Sequence, residues 1–251
     1  MIQFQDVSKS YNNGEVQAVK NLSLTVASGE LFGFLGPNGA GKTTTIKIMT
    51  GLLKPDSGTI LLNGMDIKRK PLQAKRIIGY VPDEPVFYEK MTGIQFLTFI
   101  ADVFDMPQEY RRNLPELAEK FEMDTALADV VSSYSHGMRQ KLAILAALIH
   151  NPKILILDEP IVGLDPKASF MLKETLRSLC GEGKTVFFST HVMEVAEKLC
   201  DRVGIISRGE LIAAAPLKEL RAEAGEKNAS LEKLFLEITG SLKEAGQNYE
   251  L

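Results

Sequence analysis

The chain has 251 residues, a formal net charge of -3, 45% hydrophobic and 24% charged residues. That length suffices for one large domain or two joined subdomains with real apolar cores, and the balance is that of an ordinary globular chain. The slight acidic excess gives no support to a broad nucleic-acid-binding surface, which needs a basic surplus. No stretch reaches the about 18 uncharged apolar residues of a membrane span, and Met1–Asp6 has neither the basic nor the apolar region of a signal peptide.

Ile2–Val7 and Val16–Val26 read as strands, with a hairpin-like turn at Asn12-Asn13-Gly14 between them. Leu31–Leu35 is a short apolar run with a glycine-rich turn directly after it, and Thr43–Leu52 reads as a helix. Thr59–Leu62 and Ile77–Val81 are further strands. Between them Lys68, Arg69, Lys70, Lys75 and Arg76 form a basic run, read as a solvated helix and turn surface. From Pro82 to about His150 the period is helical: Leu97, Ile100, Ala101 and Phe104 share one face, as do Met138, Leu142, Leu145, Ala146 and Ile149. Lys153–Leu157 is nearly all apolar, as a buried parallel strand is. A helix from about Pro166 to Leu179, strand Thr185–Ser189, helix Val192–Leu199, strand Val203–Ser207 and a polar helix from about Leu217 follow.

This order predicts an α/β fold with a parallel core built from both ends of the chain, about 1–83 and 151–220. A helical subdomain is inserted over about 84–150, and residues 221–251 form a helical tail. Cys180 and Cys200 lie in apolar helical runs outside any C-x-x-C pair. They read as buried free thiols, which fits a reducing cytoplasm.

Residues 36–43 read Gly36-Pro37-Asn38-Gly39-Ala40-Gly41-Lys42-Thr43, the pattern G-x-x-x-x-G-K-[ST] between a strand and a helix. Glycines let backbone N–H groups curl around phosphate oxygens, and the following helix points its positive end at the anion. Lys42 supplies a point charge for the β- and γ-phosphates, and Thr43 a hydroxyl for Mg²⁺. A second element, Ile154-Leu155-Ile156-Leu157-Asp158-Glu159, ends a buried strand in two carboxylates, which is unfavourable unless they are paired or put to use. Beside a phosphate loop, Asp158 completes the Mg²⁺ shell and Glu159 is placed to act as general base on the attacking water.

Ser135-His136-Gly137-Met138-Arg139-Gln140 resembles the signature of ABC ATPases, L-S-G-G-Q, with Tyr134, His136 and Met138 replacing Leu, the first Gly and Gln. Gly163-Leu164-Asp165-Pro166 looks like the D-loop of that family, Ser189-Thr190-His191 like its switch histidine, and Tyr11 sits where an aromatic stacks on adenine. The resemblance covers about residues 1–220 in order. It implies a P-loop NTPase (RecA-like) core with N-terminal antiparallel β strands and an inserted α-helical subdomain. It also implies an ATPase whose cofactors are ATP and Mg²⁺. Nucleotide contacts fall on Tyr11, on Gly36, Pro37, Asn38, Gly39, Ala40, Gly41, Lys42, Thr43 and Thr44, and on Ser135, Gly137 and Asp165. Lys42, Glu159 and His191 are the catalytic candidates. Thr43, Asp158 and Asp83 are the metal candidates. Asp83 falls where the family has a glutamine, and Glu84 is the alternative for that role.

The resemblance further implies a head-to-tail dimer with a second cassette, identical or not, in which Ser135 and Gly137 close on the partner's nucleotide. A separate transmembrane permease subunit would hold the chain on the cytoplasmic face of the membrane. Val86, Phe87, Tyr88 and Met91 either line a groove for that permease or fill the helical subdomain's core. The lack of a sizeable addition beyond residue 220 favours an exporter. The competing reading is a soluble ABC ATPase acting on ribosomes or DNA, against which stand the single cassette, the absence of heptads and the acidic balance. A GTPase is excluded by the lack of any Asn-Lys pair for an N-K-x-D element.

Overall fold

The computed structural model describes residues 1–107, 114–223 and 230–239. β1 (Ile2–Tyr11) and β2 (Val16–Val26) pair antiparallel across a tight turn at Asn12–Gly14. Asn12, Asn13 and Gly14 all take positive φ there, which Asn and Gly tolerate best. β4 (Ser57–Leu62) joins the other edge of β1, and the two-residue β5 (Met65–Asp66) completes a four-stranded sheet ordered β2-β1-β4-β5.

The second sheet has six strands in the order β10-β9-β3-β8-β7-β6. β3 (Leu31–Leu35), β6 (Ile78–Val81), β7 (Ile154–Asp158), β8 (Thr185–Thr190) and β9 (Arg202–Ser207) run parallel, and β10 (Glu210–Pro216) closes one edge antiparallel. β3, β7 and β8 are buried along their whole length, which explains the nearly continuous apolar runs of β3 and β7. Their alternate side chains serve two cores. Phe32, Phe34, Ile154, Ile156 and Phe187 pack against the four-stranded sheet and α1 (Lys42–Met49). Leu31, Leu35, Leu155, Leu157 and Phe188 pack on the opposite face. Phe187 is the hub of the first core, with ring centroids 5.2 Å from Phe34 and 5.7 Å from Phe32.

Between β6 and β7 lie α3 (Gly93–Val103), α4 (Leu114–Lys120) and α5 (His136–Leu148). Thr92 and Gln95 form a reciprocal capping box at the start of α3, and Ser135 caps α5 through Met138 N. α6 (Pro166–Gly181) follows β7 with Asp165 as its N-cap, and α7 (Met193–Leu199) follows β8. α8 (Leu217–Glu223) and α9 (Leu231–Ile238) come last. The rest of the expected 221–251 tail lies outside the described residues.

Two elements escaped the sequence reading, β5 and β10, while the short α2 (Pro71–Arg76) is the helical part of the basic run. β10 contains Ala213-Ala214-Ala215-Pro216, residues of low strand propensity, and exists because β9 offers a free edge. The two thiols differ: Cys200 is buried, but Cys180 is only half-buried. Burial pushes both thiols up, Cys180 to about 11. Of the run after Asp83, Phe87 enters the core and stacks edge-on against Phe96, while Val86 is 90% exposed and Tyr88 is exposed. Phe87 therefore fills the core of the helical subdomain, and Val86 and Tyr88 do not. Among the described residues no helix is long and apolar enough to cross a membrane.

Candidate nucleotide site

Because β3, β8, β7 and β6 are parallel neighbours, their carboxyl ends open on one edge of the sheet. Ligands of such sheets bind at this edge. β3 delivers the loop 36–41, and α1 begins at Lys42 with Gly41 as its N-cap and no side chain capping it. The first N–H groups of α1 therefore point into the loop. The loop is closely braced. Ala40 N donates to Pro37 O at 3.2 Å, and Gly209 N, from the β9–β10 turn, donates to Ala40 O at 3.0 Å. Gly41 takes φ +108°, and a Cβ there would lie 2.2 Å from Ala18 O, so only glycine fits. Lys42, 7% exposed, donates to Gly36 O at 2.7 Å and Pro37 O at 3.2 Å. Thr43 is exposed and Thr44 half-buried. Tyr11, at the end of β1 and 39% exposed, places its hydroxyl 3.4 Å from Thr44 Oγ1.

β7 ends on Asp158, which is 1% exposed. Its Oδ1 accepts from Ser189 Oγ on β8, and its Oδ2 is buried without a hydrogen-bond partner. Glu159 turns off the strand with φ +49°, an uncommon conformation for a residue bearing a Cβ. Its N–H donates to Ser189 O at 3.2 Å. Glu159 Oε1 lies 2.9 Å from His191 Nδ1 and 3.8 Å from Lys42 Nζ, while Oε2 is a second buried acceptor without a partner. An ionised carboxylate only accepts, so His191 carries its proton on Nδ1 and presents Nε2 on its half-exposed side. On β6, burial first, then the charges of Asp158 and Asp83, push the Tyr80 hydroxyl up to about 12. Asp83 itself is exposed, as is Glu84.

The structure thus brings Lys42 and His191 each against Glu159 and places Tyr11 beside Thr44. It leaves Ser135, Gly137 and Asp165 as a separate group. Ser135 Oγ accepts from Met138 N, and a Cβ on Gly137 would sit 2.9 Å from Gly163 O. Asp165 accepts from Ala168 N at 2.8 Å and pairs with Lys141 at 2.9 Å. The bond from Ala168 N, then Lys141, holds the Asp165 carboxyl below the usual carboxylate range. Among the described residues no hydrogen bond or ion pair joins this group to the phosphate loop. Sequence reasoning missed Ser189 as the partner of Asp158 and Gln140 as a link between α5 and the Glu159 turn. Ser189 was within reach of it, because it immediately precedes the Thr190-His191 pair at the end of an apolar strand.

The loop between β3 and α1, with acids at the end of β7, one strand removed across β8, defines a P-loop nucleoside triphosphatase. Residues 19–162 match the ABC transporter family, and the chain belongs to that family. It is 42% identical over 226 residues to the Nod factor export ATP-binding protein I of Paraburkholderia xenovorans (strain LB400), across 89% of this chain and 74% of that protein. A solved ATP-binding subunit of an ABC transporter superposes with a TM-score of 0.90 at 34% identity, covering 95% of this chain and 99% of the other. A dimeric ATP-binding cassette in a post-hydrolysis state bound to ADP and Pi superposes with a TM-score of 0.78 at 28% identity, covering 86% and 99%. The protein is an ATP-binding and ATP-hydrolysing subunit of the ABC transporter type.

Proposed function

We propose that this chain powers export through a separate membrane permease, working as a head-to-tail pair of cassettes with Glu159 as the general base for ATP hydrolysis. The observation that carries the reading is the Lys42–Glu159–His191 cluster at the end of the phosphate loop. His191 engages Glu159 Oε1 and leaves Oε2 without a partner, and we assign that oxygen to the attacking water. Water oxygen bonds to the γ-phosphorus, the bond from that phosphorus to the β–γ bridging oxygen breaks, and the water proton passes to Oε2. ADP and phosphate leave. Lys42 and the N–H groups of the loop and α1 hold the phosphates in line, so the barrier is lowered mainly by positioning and fixed charge. Tyr11, beside Thr44, is the platform for adenine.

The residues also fit Mg²⁺. Asp158 Oδ2 is a buried acceptor in need of a partner, and Thr43 and Asp83 are exposed on the same edge. Among the described residues no group of three His, Cys, Asp or Glu could hold a metal ion unaided. That suits an ion bound chiefly by phosphate and water with one or two carboxylates. Bound there, Mg²⁺ would neutralise charge developing on the phosphate oxygens.

A groove of about 320 Å³ runs between the strand end at Tyr80 and Pro82 and the helices α3 and α5, with Leu52 and Val86 exposed at its rim. We assign it to a short cytoplasmic helix of the permease. In the dimer, Ser135 and Gly137 of one cassette face the phosphates held by the other. The export assignment draws on the relative that serves Nod factor export.

The test is to purify tagged Glu159→Gln protein from membranes of its native cell with ATP and Mg²⁺, and to identify its companions by mass spectrometry. A multi-span membrane protein supports the reading and points to the cargo. Ribosomal or DNA-repair proteins without a membrane protein above background would overturn it.

A further inference from the structure

The turn that carries Glu159 is held from α5 as well as from the sheet. Gln140 Nε2 donates to Pro160 O at 3.3 Å, one peptide beyond Glu159. One helical turn earlier, Gly137 packs against Gly163, and next to Gln140, Lys141 pairs with Asp165. The start of α5 is therefore laid along the whole 159–165 turn.

Gln140 is 1% exposed, and its Oε1 has no partner. As a filler of space it is a poor choice. An aliphatic side chain of similar volume would occupy the site and abolish a buried acceptor that has lost its water without compensation. The amide orientation follows from its neighbour, because a carbonyl accepts and the nitrogen must face Pro160. The one bond it makes falls where the backbone is least able to hold itself. Glu159 has φ +49°, and such a conformation persists only when its surroundings over-determine it. The sheet supplies one restraint, Glu159 N to Ser189 O, and the turn supplies another, Val162 N to Glu159 O at 3.3 Å. Gln140 supplies the restraint from α5.

We propose that Gln140 is a positioning residue for hydrolysis, which fixes the Pro160–Ile161 peptide and through it the turn at Glu159, so that the carboxylate of Glu159 meets the attacking water. The start of α5, the element that faces the other cassette, is thereby tied to the base of its own chain. This rests on Glu159 as the base.

The experiment uses the full chain carrying Gln140→Leu, with Gln140→Met as a second variant that keeps an unbranched side chain. Turnover, KM for ATP, ATP affinity and Tm are measured for each. The expected result is kcat lower by between about tenfold and a hundredfold, the size of effect a small misplacement produces. KM and ATP affinity stay unchanged, and Tm is equal to or above wild type. In single-turnover measurements Gln140→Leu has no further effect once Glu159→Gln is present, because both act on one step. Wild-type kcat in both Gln140 variants, an equal loss in the Glu159→Gln background, or a fall in activity matched by a fall in Tm and ATP affinity would overturn the proposal. Wild-type turnover in Glu159→Gln alone would instead remove the base assignment on which it stands.

Discussion

Glu159 Oε1 lies 2.9 Å from His191 Nδ1, so the carboxylate is engaged on one oxygen while its other oxygen is buried with no partner among the described residues. This asymmetry is what the proposed role of Glu159 as base requires. Glu159→Gln should keep ATP affinity and lose at least about a hundredfold in turnover, since the amide takes no proton. His191→Ala should lose about tenfold or more by releasing the carboxylate from its orientation. Phosphate release and nucleotide binding, measured on the same preparations, check both. A loss of binding equal to the loss of turnover would contradict the role of Glu159.

Gly41 offers a sharper steric test. Gly41→Ala forces a Cβ to 2.2 Å from Ala18 O at φ +108°. It should cost about 1–3 kcal/mol of stability and abolish ATP binding by distorting the loop. Gly181, in α6, has ordinary φ and open space around it, so Gly181→Ala should be neutral or stabilising by about 1 kcal/mol. Denaturant melts of the two variants give the comparison.

Asp165 makes stability depend on pH in a defined direction. Its carboxyl is held below its ordinary value of 3.8, first by Ala168 N and then by Lys141. A depressed folded pKa contributes stability that is fully present above the ordinary value and lost as pH falls through the folded one. Asp165→Ala should therefore cost about 1 kcal/mol near neutrality, mostly the N-cap. The gap to wild type should close as the pH drops below the ordinary carboxylate range. Asp165→Asn should retain most of the cap at all pH values. A gap that widened in acid would refute the assignment.

Val86 tests the permease groove. It is 90% exposed at the rim, and its neighbour Phe87 is buried against Phe96. Val86→Glu should leave Tm unchanged, because little is buried by the native side chain, but should sharply lower the fraction of the chain recovered with membranes. Quantifying the chain in membrane and supernatant fractions decides the matter.

What could be read from the residues alone was whatever is contiguous. The loop Gly36–Thr43 and the strand end Ile154–Glu159 carry their chemistry in adjacent positions, and their flanking elements follow from apolar runs buried on both faces. β10 was not legible, because Ala213-Ala214-Ala215 has no strand preference of its own and the pairing is imposed by β9. Gln140 was not legible either. On α5 it looks like any polar residue of an amphipathic helix, and only the tertiary approach of Pro160, twenty positions on, gives it a partner. The split fate of Val86 and Phe87 needed the packing of α3, since a loop residue has no period to reveal which neighbour turns inward.

β3 gives alternate side chains to the two cores, Leu31 and Leu35 to one and Phe32 and Phe34 to the other, and runs directly into the phosphate loop. Loosening either half therefore strips contacts from a strand that the other half also uses. Nucleotide affinity is thereby a reporter of the integrity of both halves, and a lesion far out among the helices will be felt as weakened grip on ATP before the remaining sheet has come apart.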